Sequence, residues 1–137
     1  MTGVELARRA VACPGWRWMP GMRYQIVNER GQIGGWMRAS DRVSHLDALY
    51  PVAGESEVAL PDLDDPATLG CLLALVREDW NDPHIYVRKS VTRNQWVAWR
   101  KRLRDDDDEV KVSEGRTEDE SLVAALEAAP RREAAPC

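Results

Sequence analysis

The chain has 137 residues, 44% of them hydrophobic and 31% charged, enough to bury a core without help from disulfides or a structural metal. Nineteen Lys and Arg against twenty-three Asp and Glu leave a net charge of −4, which argues against indiscriminate binding to nucleic acid but leaves local patches open. No run approaches the roughly 20 apolar residues that span a bilayer, and the amino terminus MTGVELARRA lacks the order of a secretion signal. Three cysteines without close pairing make no disulfide framework, so the expectation is a cytoplasmic protein with reduced thiols and no membrane partner. One domain over 1–130 with a flexible tail at 131–137 is the expected organisation.

In chain order, Thr2 and Glu5 read as a capping box that opens a first helix running to about Ala12, with Val4, Ala7, Ala10 and Val11 at helical spacing. Cys13-Pro14-Gly15 stops it. The segment 16–20, with Trp16, Trp18 and Met19, is too short for a helix and too apolar for a free loop, so it is expected to pack under a sheet. Tyr24, Ile26 and the stretch 33–37 flank Asn28-Glu29-Arg30-Gly31, the signature of a hairpin. From 40 to 60 the pattern weakens into a long connection, with one or two helical turns near 43–49.

Asp65 as N-cap and Pro66 at the first helical position start the clearest element, a helix to about Trp80. Its stripe of Leu69, Leu72, Leu73, Val76 and Trp80 is expected to face the core. Asn81-Asp82-Pro83 ends it. The stretches 84–91 and 95–103, separated by Thr92-Arg93-Asn94, predict a second hairpin, and 109–113 a third strand returning after the acidic run 105–108. Thr117 with Glu120 caps a final helix whose Leu122, Ala125, Leu126 and Ala129 face inward before Pro130. The predicted fold is α+β: a mainly antiparallel sheet of about four or five strands packed with two or three helices.

The segments PDLDDPATLGCLLALVREDW at 61–80 and GRTEDESLVAALEAAP at 115–130, around a strand-rich middle, are similar to small accessory proteins of phages and prophages. The arrangement resembles the phage α-β-α sandwich domain family, and LARRAVACPGWRWMPGM at 6–22 is consistent with it. The resemblance covers 4–22 and 61–130. It implies a sandwich fold and a phage setting, and so the host cell's cytoplasm. It brings no catalytic residue, cofactor or metal.

Two charged surfaces stand out. Asp105, Asp106, Asp107 and Asp108, with Glu109, read as a solvated hairpin tip, against which stand a protein-contact or nucleic-acid-mimicking surface and a cation site; no calcium-loop spacing is present. Tyr86, Arg88, Lys89, Arg93, Trp96, Arg100, Lys101 and Arg102, with Arg104 and Trp99 nearby, combine cations with stacking rings as single-strand binders do. The competing reading is a solvated sheet surface or a protein-binding face, since alternation sends Trp96 and Trp99 to opposite faces. His45 and His84 with Cys13 and Cys71 lack zinc spacing, and Cys71 reads as a structural thiol. His45 beside Asp47 has no nucleophile in an elbow context. Met19, Met22, Met37 and part of the Trp set form either core or an adaptable binding patch.

The expectation is therefore a chain without enzymatic activity or cofactor that binds a macromolecule. A host or phage protein complex is the expected partner, and inhibition of a host-defence system, in the manner of an anti-CRISPR protein, is the specific role the phage setting suggests. The alternative is a single-stranded nucleic-acid-binding module using the hairpin 85–104, and a homodimer is a further option.

Overall fold

The computed structural model describes residues 3–28, 35–40, 58–101 and 109–130. It is α+β, with three helices and six strands among those residues. The strands form two three-stranded antiparallel sheets, where the sequence reading has one sheet of about four or five. The chain divides into two compact units, one comprising Met1–Ala12 and Trp16–Cys71, the other Cys13–Gly15 and Leu72–Cys137. The expected turns at 43–49, the loop 29–34, Thr2 and the tail 131–137 lie outside the described residues.

In the first unit, α1 (Gly3–Ala12) buries Leu6, Ala7 and Ala10, while Val4 and Val11 are half-buried. The buried stripe is thus centred on Leu6 and Ala10, one position away from the expected one. The sheet has the order β2-β1-β3, with β1 at Arg23–Val27, β2 at Met37–Arg38 and β3 at Val58–Pro61. β3, read from sequence as part of a connection, pairs with β1 from Tyr24↔Pro61 to Val27↔Val58 and receives α1. Trp18 is buried edge-on against Tyr24 of β1, with Trp16 edge-on behind it, so the segment after α1 packs on the sheet as its composition demands.

Helix α2 spans Pro66–Asp79. Asp65 caps it by accepting from the Thr68 N–H at 3.0 Å. The Thr68 hydroxyl, fully buried, donates to the same carboxylate at 2.9 Å and accepts from the Arg23 N–H at 2.8 Å. Arg38 then grips Asp65 with two nitrogens, at 3.0 and 3.1 Å, and reaches the Gly21 carbonyl at 2.7 Å. Helix start, β1 and β2 are tied by one carboxylate. The bidentate arginine holds the Asp65 carboxyl down at about 2, and the same hydrogen bonds to Asp65 push the Arg38 guanidinium up.

This cap also corrects the stripe of α2. Thr68, Leu72, Leu75 and Val76 are the fully buried positions, whereas Leu69, Leu73 and Trp80 are half-buried. A polar residue with both hydrogen-bonding roles satisfied is buried there in place of a leucine. At its other end α2 closes in a Schellman motif: Asn81 takes φ 51°, its N–H donates to Glu78, and the Asp82 N–H donates to Arg77.

In the second unit the sheet has the order β4-β5-β6, with β4 at Tyr86–Ser90, β5 at Gln95–Lys101 and β6 at Glu109–Gly115. Asn94, at φ 51°, supplies the left-handed residue of the β4–β5 turn. β5 and β6 slip register after Ala98, leaving Val112 as the extra residue of a bulge. Helix α3 (Glu118–Ala128) packs on this sheet. Thr117 caps it, and Glu120 reaches back to the Arg116 N–H at 2.8 Å, one residue beyond the usual capping-box target. The Ser113 hydroxyl donates to the Ser121 carbonyl at 2.7 Å, and Gly115 leaves no room for a β-carbon, which would sit 2.7 Å from the Glu120 Cβ and the Ser121 nitrogen.

Candidate functional site

The charged hairpin β4–β5 is a two-sided object. Ser113, which holds α3, pairs with Ala98, so alternation along β5 sends Trp96, Ala98 and Arg100 to the helix-bearing face and Val97, Trp99 and Lys101 to the other. The β4 register places Lys89 opposite Trp96 and puts Tyr86 and Arg88 opposite Trp99 and Val97. The predicted set is therefore not one surface. Tyr86, Arg88 and Lys101 share a face with Trp99, while Lys89, Trp96 and Arg100 share the face of α3. Arg93 stands in the exposed turn. Val97 and Ala98 are both buried, so each face contributes to the core.

Between 84 and 104 there are seven Lys and Arg and no Asp or Glu. Carboxylates arrive instead from neighbouring elements. Glu109 of β6 accepts from the Tyr86 hydroxyl and lies 3.1 Å from Arg88. Glu114 stands 3.9 Å from Arg93 and 3.4 Å from Lys111. Asp82, just after α2, stands 3.3 Å from Arg100. Each of the three hairpin arginines in the described residues thus meets a carboxylate. Lys89 and Lys101, on opposite faces, make no ion pair among the described residues.

Stacking follows the same pattern. The Arg88 guanidinium lies over the Trp99 ring at 5.5 Å and over Tyr86 at 5.8 Å, while Arg100 lies over Trp80 at 5.4 Å. The indole N–H of Trp80 donates to the Ala125 carbonyl at 2.8 Å, so Arg100, Trp80 and Asp82 together lock the exit of α2 onto α3. Arg100 is thus engaged by both Trp80 and Asp82. Burial pushes the Tyr86 phenol up, and the hydrogen bond to Glu109 adds to this. The Trp99 indole nitrogen is buried without a partner.

Sequence reasoning missed Glu114, Asp82 and Lys111 as members of this surface, and read Glu109 as the end of the acidic run. The signal for Glu109 and Glu114 was the alternation of 109–115, legible only once the bulge at Val112 is known. Arg102 and Asp105, Asp106, Asp107 and Asp108 lie outside the described residues.

The remaining candidates scatter. Met22 and Trp18 are core, whereas Trp36 and Met37 are exposed at the β2 edge, with Arg23 stacked 4.9 Å over Trp36. Cys71 is half-buried, its thiol pushed up by burial, with Sγ 3.8 Å from the Pro20 carbonyl. Cys13 is buried and His84 exposed, and His45 falls outside the described residues. No group of three or more His, Cys, Asp or Glu able to hold a metal occurs among the described residues. A pocket of about 300 Å³ in the second unit is lined by Pro14, Gly15, Leu126 and Ala129 with the carboxylates Asp79 and Glu127. No helix among the described residues is long and apolar enough to cross a membrane.

No protein-family model, curated protein or solved structure matches the chain.

Proposed function

We propose that this chain acts without chemistry of its own, as a phage-type accessory protein that binds another protein through the face of β4, β5 and β6 bearing Tyr86, Arg88, Trp99 and Lys101. The observation that carries this reading is the interleaving of charge: Arg88 with Glu109, and Arg93 and Lys111 with Glu114. A phosphate-tracking groove needs cations free to neutralise phosphate, and here carboxylates hold the arginines and repel the backbone. Alternating signs on one face instead match a protein surface, where opposite patches steer encounter and fix orientation. Inhibition of a host-defence machine such as a CRISPR effector is the specific role that fits a small stoichiometric binder in a phage setting.

The nucleic-acid alternative would use Tyr86, Arg88, Lys89, Arg93, Trp96, Arg100, Lys101 and Arg102; the strand register divides Tyr86, Arg88 and Lys101 from Lys89, Trp96 and Arg100. Titrating labelled single-stranded DNA at several salt concentrations separates the two readings. The protein-binding reading predicts no saturable complex at physiological salt. Tight binding that falls steeply with salt, with a slope matching several released counterions, would overturn it.

A further inference from the structure

We propose that β4 is a docking edge for an extended acidic peptide of a partner protein, which joins the second sheet as a fourth strand alongside Tyr86–Ser90. The proposal rests on the protein-binding reading above and gives it a mode. β4 is an outer strand, so alternate N–H and C=O groups along it point away from β5. Among the described residues, 86–90 make no backbone hydrogen bond outside their sheet.

The other described edges are closed. β2 has two residues. β3 has Ala59, Leu60 and Pro61 buried, and Pro61 offers no N–H. β6 is broken by the bulge at Val112, which interrupts the regular row of outward groups. β4 carries neither proline nor bulge and keeps unbroken register with β5 from Tyr86↔Trp99 to Ser90↔Gln95.

Charge selects the occupant. Arg88 and Lys89 are both exposed and project to opposite faces of the strand. Antiparallel pairing with a second copy of β4 about either residue would set cation against cation, which is destabilising. Arg88 is already met by Glu109, whereas Lys89 makes no ion pair among the described residues, so a strand with an Asp or Glu opposite Lys89 supplies the carboxylate it lacks. β-branched residues flanking the acid suit the extended backbone that strand addition requires. An acidic, β-branched segment is the chemistry this edge accepts.

The test uses the full-length protein and a blocked, fluorescein-labelled peptide, Thr-Val-Asp-Glu-Val-Thr, followed by anisotropy. Two analogues carry N-methyl groups on the odd or the even backbone nitrogens, and a third carries Lys in place of the acids. Strand addition predicts that one methylated analogue loses about tenfold or more in affinity while the other does not, because alternate N–H groups face the edge. The Lys peptide should fail to bind. Lys89→Glu, with an unchanged circular-dichroism spectrum, should weaken the acidic peptide by about tenfold, on the scale of a lost cross-strand charge pair and a new repulsion. Equal binding by both methylated analogues, no binding of the acidic peptide, or its displacement by oligothymidylate would overturn the proposal. So would a partner captured from lysate that the acidic peptide fails to displace, and that outcome leaves the protein-binding reading standing.

Discussion

Thr68 does three jobs with one hydroxyl: it fills a core position of α2, donates to the Asp65 cap and accepts the Arg23 N–H. Thr68→Val keeps the shape and removes both bonds, leaving a buried backbone donor unmet at a cost of about 1–3 kcal/mol. Urea denaturation should show that loss as a lower midpoint at unchanged slope. Asp65 gives the same knot a pH signature. Folding lowers its carboxyl from 3.8 to about 2, so the unfolded chain binds the proton more tightly than the folded one. Its contribution is fully present above 3.8 and is lost as pH falls towards 2. In Arg38→Met this part of the acid sensitivity should shrink, because the first cause of the depression is the Arg38 hydrogen bond. Acid titration followed by Trp fluorescence reads the difference; identical profiles for the two proteins would contradict it. The sequence displayed Asp65 and Pro66 as a helix start, but neither Arg38 nor Thr68 as partners. The first lies 27 residues away and the second was hidden by the leucines around it.

Secondary structure was legible where local chemistry decides it. Pro66, Asn81-Asp82-Pro83, the Asn94 turn and the Thr117 cap all act within a few residues, and α2, the second hairpin and α3 lie where those signals put them. β3 escaped because four residues, VALP, carry too short an alternation to rise above a connection; the partner β1 makes them a strand. At this scale Gly115 is the sharpest test of how α3 meets its sheet. A β-carbon there would fall 2.7 Å from the Ser121 nitrogen, so Gly115→Ala should force β6 and α3 apart and cost about 1–3 kcal/mol, as overpacking does. Thr117→Ala removes the acceptor of the Glu120 N–H and should cost about 1 kcal/mol. Thermal melts distinguish the two: the glycine variant should also lose near-ultraviolet signal from Trp80, whose indole is bonded to Ala125 of α3.

For the molecule as a whole, net charge concealed the relevant feature. A chain at −4 contains a stretch of 21 residues, 84–104, with cations and no acids, and its described arginines are then met by carboxylates from β6 and from the α2 exit. Composition showed the cations and alternation divided the tryptophans correctly, but the pairing of Arg88, Arg93 and Arg100 depends on register and on a bulge that sequence does not announce. The pairings of Arg88 with Glu109 and of Arg93 with Glu114 give the face of Trp99 a mixed charge. They also decide which variants are informative: Arg100 is locked between Trp80 and Asp82, so changing it tests folding, whereas Lys101 is exposed and unpaired among the described residues.

Protein binding by this face can be tested directly. The most direct measurement is an affinity capture with the tagged chain from lysate of the cells in which it is made, with and without nuclease, against a Lys101→Glu, Arg88→Glu variant that retains its circular-dichroism spectrum. The expected result is a stoichiometric protein partner that survives nuclease and is lost with the variant. Recovery of nucleic acid alone, or of a partner that nuclease removes, would contradict it.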